Sequence, residues 1–174
     1  MDFEWKIKSG HRQATREGYN LLKLKNGKSI TAYGLDVSID NEGIVTINGT
    51  ANGSYPTFLI SGDGNIEIRA GTPSLTNNPE WYNSISLSDE DYTLKFEYIS
   101  GTGGSNHRPY VHLHTSDGGN LEFTQGNTTK IKNYTGEISG ISFYVEKGSV
   151  YNNFKFRVYI VKGTYTLNTI PTYE

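Results

Sequence analysis

A chain of 174 residues carrying a net charge of −2, 20 Gly, 13 Tyr and no cysteine has length for one domain and too little for two comfortable ones. The missing cysteines exclude disulfide frameworks, thiol catalysis and cysteine-ligated zinc together. No apolar run approaches the roughly 18 residues of a membrane span, and the opening "MDFEWKIKSG" lacks the apolar stretch expected of a signal peptide.

Residues 1–30 hold 7 Lys and Arg against 3 Asp and Glu. They show no basic run with interleaved aromatics of the kind nucleic-acid binders carry. Residues 1–18 therefore read as a solvated connecting arm, and residues 19–174 as the domain; neither a nucleic-acid nor a membrane partner is expected. Tyrosine favours strands, while glycine and asparagine favour turns. The composition thus predicts an all-β domain.

In chain order, "LDVSID" sets Leu35, Val37 and Ile39 on one face, "NEG" turns, and "IVTINGT" returns with Val45 and Ile47 inward, a hairpin pattern. "PTFLISG" and "NIEIRAG" follow, the latter with Ile66 and Ile68 inward. Residues 71–88 contain two prolines and an Asn pair, and read as a long loop carrying Trp81 and Tyr82. Loops of that length in compact domains tend to be functional. "YTLKFEYI" alternates Tyr92, Leu94, Phe96 and Tyr98 with polar residues. "YVHLHT" and "LEFTQG" face each other across "SDGG". "GISFYVEKG" and "YNNFKFRVYIVKG" end the pattern, with Ile141, Phe143 and Val145, then Phe154, Phe156, Val158 and Ile160, inward. No segment holds a 3.6-residue period. About ten short antiparallel strands in a two-sheet β-sandwich satisfy this pattern, with a jelly roll preferred over an immunoglobulin-like sandwich.

Alternation also fixes the outward residues. If Val111 and Leu113 point into the core, Tyr110, His112 and His114 point away. By the same parity Tyr144 faces out, as do Arg157 and Tyr159 on the last strand. Aromatic rings beside hydrogen-bonding His and Arg suit sugars, whose C–H faces stack while their hydroxyls are read by polar groups. Tyr110, His112, His114, Tyr144, Arg157 and Tyr159, with Trp81 and Tyr82 from the long loop, are the candidate ligand-binding residues.

His112 and His114 share a face, as two zinc ligands would. A third would have to come from His107 or Glu146, without telling spacing, so no metal site is assigned. Calcium at "NEG" or "SGDGN" is conceivable, but turn chemistry explains both stretches. Catalysis finds no frame either. Glu67, Glu97, Glu122 and Glu146 sit singly on outward positions rather than as a facing pair, and no Gly-x-Ser-x-Gly elbow is present. A non-enzymatic protein without cofactors is expected.

"REGYNLLKLKNG" followed by "LDVSIDNEGIVTINGTANGSYPTFLISG", with "DYTLKFEY" and the ending "YNNFKFRVYIVKGTYTLNTIPTYE", resembles a module of phage and prophage tail, baseplate and host-recognition proteins of Gram-positive bacteria. The match runs through Gly18, Asn20, Leu21 and Leu22, through Gly43 to Ala51, and to an ending loosened to Pro171-Thr172-Tyr173-Glu174. The family is similar to the jelly-roll carbohydrate-binding modules that accompany glycoside hydrolases. The resemblance implies a non-catalytic domain of a virion, made in the bacterial cytoplasm, that binds host cell-surface polysaccharide among other tail subunits, with a homo-oligomer as one arrangement. A ligand-free tail connector, and an accessory module of a secreted glycoside hydrolase, are the alternatives.

Overall fold

Period-two alternation of apolar residues produces ten strands and, among the described residues, no helix. The computed structural model describes residues 20–22, 27–60, 65–71, 85–103, 109–124 (backbone alone at 122–124) and 128–172. The strands are β1 (Ser29–Ala32), β2 (Leu35–Ile39), β3 (Val45–Thr50), β4 (Pro56–Ile60), β5 (Ile66–Ala70), β6 (Leu87–Gly103), β7 (Tyr110–Thr115), β8 (Asn120–Thr124), β9 (Lys130–Tyr144) and β10 (Val150–Lys162). The arm at residues 1–18, Trp81 and Tyr82, His107 and most of "SGDGN" lie outside the described residues.

Every pairing is antiparallel. The order runs β1-β2-β3-β10-β6-β9-β4-β5, with β7 on β9 and β8 on β7. Its two ends, β1 and β5, approach each other. The fold is an all-β antiparallel sheet that nearly closes into a barrel. β9 carries both parts of it: residues 130–138 pair with β6, and residues 141–144 lie between β4 and β7. This first part of β9 was not apparent in the sequence, which showed a strand from Gly140 on. β6 likewise begins at Leu87, inside the stretch read as loop, and β1 was not foreseen.

Turn chemistry joins the strands. Tyr33 and Gly34 both take positive φ (53° and 76°) between β1 and β2, the pair of values a type I′ hairpin requires. After β2, Asp40 Oδ1 accepts hydrogen bonds from the backbone N–H of Glu42 and Ile44, each 2.9 Å, so "NEG" is held as an Asx turn. Asn20 and Leu21 occupy an edge of β10: Leu21 N–H donates to Ile160 O (2.9 Å), and Ile160 N–H donates to Asn20 Oδ1 (3.1 Å). Leu22 then enters the core. The Asn-Leu-Leu motif thus closes a strand edge and plugs the core.

The inward sets form one cluster, including Val37, Ile47, Phe58, Phe96, Val111, Leu113, Ile141, Phe143, Phe156 and Ile160. Phe58 and Phe143 stack at 4.7 Å, Phe96 and Phe156 at 4.9 Å, and Phe143 meets Phe156 edge-on at 5.5 Å across the core. Gly101 of β6 has φ 89° and passes directly against the Asn153 carbonyl of β10, where the register shifts. A Cβ there meets backbone and not a movable side chain. Gly101→Ala is expected to cost about 1–3 kcal/mol, measured as a lower urea midpoint at unchanged slope; an unshifted midpoint would refute the close approach.

Candidate ligand-binding site

The site grows from three adjacent strands. The register sets Tyr110 opposite Tyr144 and His112 opposite Ser142 between β7 and β9, and Thr57 opposite Tyr144 between β4 and β9. Because Val111, Leu113, Ile141, Phe143 and Phe58 fill the core, Tyr110, His112, His114, Ser142, Tyr144 and Thr57 share the opposite face. Tyr110 and Tyr144 stack at 4.7 Å with their planes 9° apart, and His112 stands edge-on to Tyr144 at 5.1 Å. A cross-strand aromatic stack stabilises a sheet whether or not it binds anything. What makes this one a candidate site is the pocket beside it, about 170 Å³, lined by Tyr55, Thr57, Gly71, His112, Asn120, Ser142 and Tyr144.

Tyr55 was not singled out in the sequence. It precedes Pro56, takes φ 57°, and is 56% exposed at the pocket rim, with its ring edge-on to Tyr144 at 6.2 Å. A bulky residue in the left-handed region is strained by about 1–3 kcal/mol, and such strain persists where neighbours hold it. Here they do. Tyr55 O accepts from the Gly71 N–H (3.3 Å) and from Thr57 Oγ1 (3.1 Å), and Thr57 Oγ1 also donates toward Gly71 O (2.9 Å). The one sequence signal for it was an aromatic residue immediately before a proline in a Gly-Ser turn.

His114 has the outward parity expected of it but no solvent: its exposure is 0%. Nδ1 lies 2.6 Å from Asn120 Oδ1 and Nε2 lies 2.9 Å from Ser142 Oγ. Burial lowers its pKa to about 4, helped by nearby His112 and opposed by the bond to Asn120. Both ring nitrogens are engaged, and its ring is turned 75° from that of His112 at 6.4 Å, so the two histidines do not aim at a common point. Glu146 Oε1 accepts from the Tyr110 hydroxyl at 3.2 Å. Among the described residues, no three His, Asp or Glu gather in a metal-binding arrangement.

Arg157 and Tyr159 are corrections to the expected surface. They sit on β10, between β3 and β6, not beside β7 or β9. Since Phe143 and Phe156 meet across the core, the outer faces of β9 and β10 point in opposite directions. Tyr159, expected in solvent, is 0% exposed. Its hydroxyl donates to Pro171 O at 3.4 Å, and Lys95 Nζ lies 5.2 Å from its ring centre. The tail near Pro171 thus reaches a face that alternation left open. Arg157 donates through Nε (2.9 Å) and Nη2 (2.5 Å) to Glu97 Oε2. Burial pushes the Glu97 carboxyl up, but Arg157 and Lys95 outweigh it and its pKa is lowered. This cluster is an ion pair within the sheet, remote from the tyrosines. Four candidates therefore come together, Tyr110, His112, His114 and Tyr144. Arg157 and Tyr159 do not join them.

Set against known protein families, characterised proteins and solved structures, the chain matches none. The reading of the site rests on its own geometry.

Proposed function

We propose that the protein is a non-catalytic carbohydrate-binding domain that recognises cell-surface polysaccharide through the pocket lined by Tyr55 and Tyr144. The observation that carries this reading is an exposed, strained Tyr55 and a Tyr144 stacked on Tyr110, with Tyr55 and Tyr144 lining a pocket that His112, Asn120, Ser142 and Thr57 also line. Aromatic faces and neutral polar groups in one shallow concavity match the two surfaces of a sugar ring. The resemblance to phage tail modules supports a virion setting, with other tail subunits as partners. In that setting a weak site, about −4 to −7 kcal/mol per copy, becomes sufficient through many copies on one particle. The finer fold we infer is a jelly-roll sandwich, its layers β1-β2-β3-β10-β6 and β8-β7-β9-β4-β5 joined through β9.

Glycan-array binding with two variants tests the function. Tyr144→Ala is expected to lower affinity at least about tenfold, or about 1.4 kcal/mol. Tyr55→Gly removes an aromatic wall at a position where glycine carries no left-handed strain, so it is expected to bind about tenfold weaker while unfolding no earlier than wild type. Failure of the wild type to bind any glycan, with assembly into oligomers through this face, would favour the ligand-free connector.

A further inference from the structure

Of the hydroxyls that line the pocket, those of Thr57 and Ser142 have their hydrogens spent inside the protein. Thr57 Oγ1 donates to backbone carbonyls of Tyr55 and Gly71. Tyr110, stacked on Tyr144 outside the pocket lining, gives its hydroxyl hydrogen to Glu146 Oε1. Ser142 is decided by His114. Asn120 Oδ1 can only accept, so His114 Nδ1 carries the hydrogen. In a neutral ring Nε2 is then an acceptor and must receive the hydrogen of Ser142 Oγ. The neutral form is the one the site favours, because the ring is buried and its pKa lies near 4. Asn120, its oxygen engaged, offers its amide N–H group to the pocket.

We propose that His114 polarises this pocket as a hydrogen-bond acceptor, so that it selects neutral sugars rich in hydroxyl or amide donors and rejects uronic acids and phosphorylated glycans. The inference rests on the carbohydrate reading above and adds the class of sugar. A ligand hydroxyl can give its hydrogen to Ser142 or Thr57 Oγ and take one from Asn120 Nδ2. A carboxylate has no hydrogen to give, and would set its charge against oxygen lone pairs that cannot turn away without breaking the bonds to His114 or to the Tyr55 and Gly71 carbonyls. An anion left facing acceptors in a partly desolvated seat is strongly disfavoured. Nor does any Lys or Arg appear among the described residues lining the pocket; on neighbouring β5, Arg69 pairs with Glu67 at 2.9 Å. His114 is a positioning residue here, acting through Ser142 and Asn120.

Two measurements test it on the full chain. Nitrogen-15 NMR of the histidine rings reads the tautomer directly: His114 is expected to hold its hydrogen on Nδ1 with Nε2 bare, and a hydrogen on Nε2 overturns the proposal. Calorimetric titration with matched pairs, a neutral hexose oligosaccharide and its uronic-acid counterpart, is expected to give at least about tenfold weaker binding for the acid. Equal or tighter binding of the acid overturns the polarity argument alone. Binding of neither, with the Nδ1–H tautomer observed, overturns the sugar reading and the ligand class with it.

Discussion

Phe143→Ala is expected to lower the free energy of unfolding by about 3–5 kcal/mol. The ring is wholly buried, stacks on Phe58 of β4 at 4.7 Å and meets Phe156 of β10 edge-on at 5.5 Å. It therefore ties the part of the sheet around β9, β4 and β7 to the part around β10 and β6. Its loss removes the transfer energy of a phenyl group and leaves a cavity between strands that are held in register on both edges and cannot collapse into it. For a domain of this size each kcal/mol moves the melting temperature by about 2–4 °C, so a fall of roughly 6–20 °C is the thermal counterpart. Urea unfolding is the cleaner measurement; a loss under about 1 kcal/mol would show that the two parts are not clamped by this ring. Tyr144 is the next residue, so the variant should also loosen the pocket, and glycan binding and stability should fall together. Tyr55→Gly, by contrast, should separate them.

What alternation encodes was legible in the sequence. Leu35, Val37, Ile39, Val45, Ile47, Val111, Leu113, Ile141, Phe143, Phe154, Phe156, Val158 and Ile160 all lie in the core, because a half-buried strand writes its two faces into every second residue. Residues 130–137 were illegible for the same reason. This part of β9 has no fully buried side chain, so nothing apolar alternates, and its strand is fixed by pairing with β6 across about 40 residues of chain. Neighbourhood between strands is a long-range property. The outward parity of Arg157 and Tyr159 could be read, but not that β10 would lie between β3 and β6. Cover is equally long-range: Tyr159 is buried where the tail near Pro171 reaches it, and His114 is engaged by groups from β8 and β9. Tyr55 escaped because its significance lies in a backbone angle. The histidine pair that looked like two equal outward donors is one pocket wall, His112, and one buried support, His114.

That support gives the protein an acid dependence whose sign and window follow from one ring. Unfolded, His114 titrates near 6.5; folded, near 4. Between those values the unfolded chain binds more protons, so stability must fall as pH is lowered. The contribution is fully present above about pH 6.5 and is lost progressively down to about pH 4, below which this ring adds no further slope. The gap between 6.5 and about 4 corresponds to roughly 3 kcal/mol. Glu97 acts in a separate window: with its pKa lowered by Arg157 and Lys95, the stability it contributes is lost only as pH falls below the ordinary carboxylate range. His114→Gln keeps a neutral polar group that can still bond Asn120 or Ser142 but cannot take up this proton. Urea midpoints between pH 7.5 and 4 should therefore decline steeply for the wild type and much less for the variant, the difference between the two curves isolating His114 from His112. Parallel curves would mean that the ring is charged, or solvated, in the folded state. They would remove the ground for a fixed neutral tautomer, because a protonated His114 donates from both nitrogens and obliges Ser142 to turn its hydrogen toward the pocket.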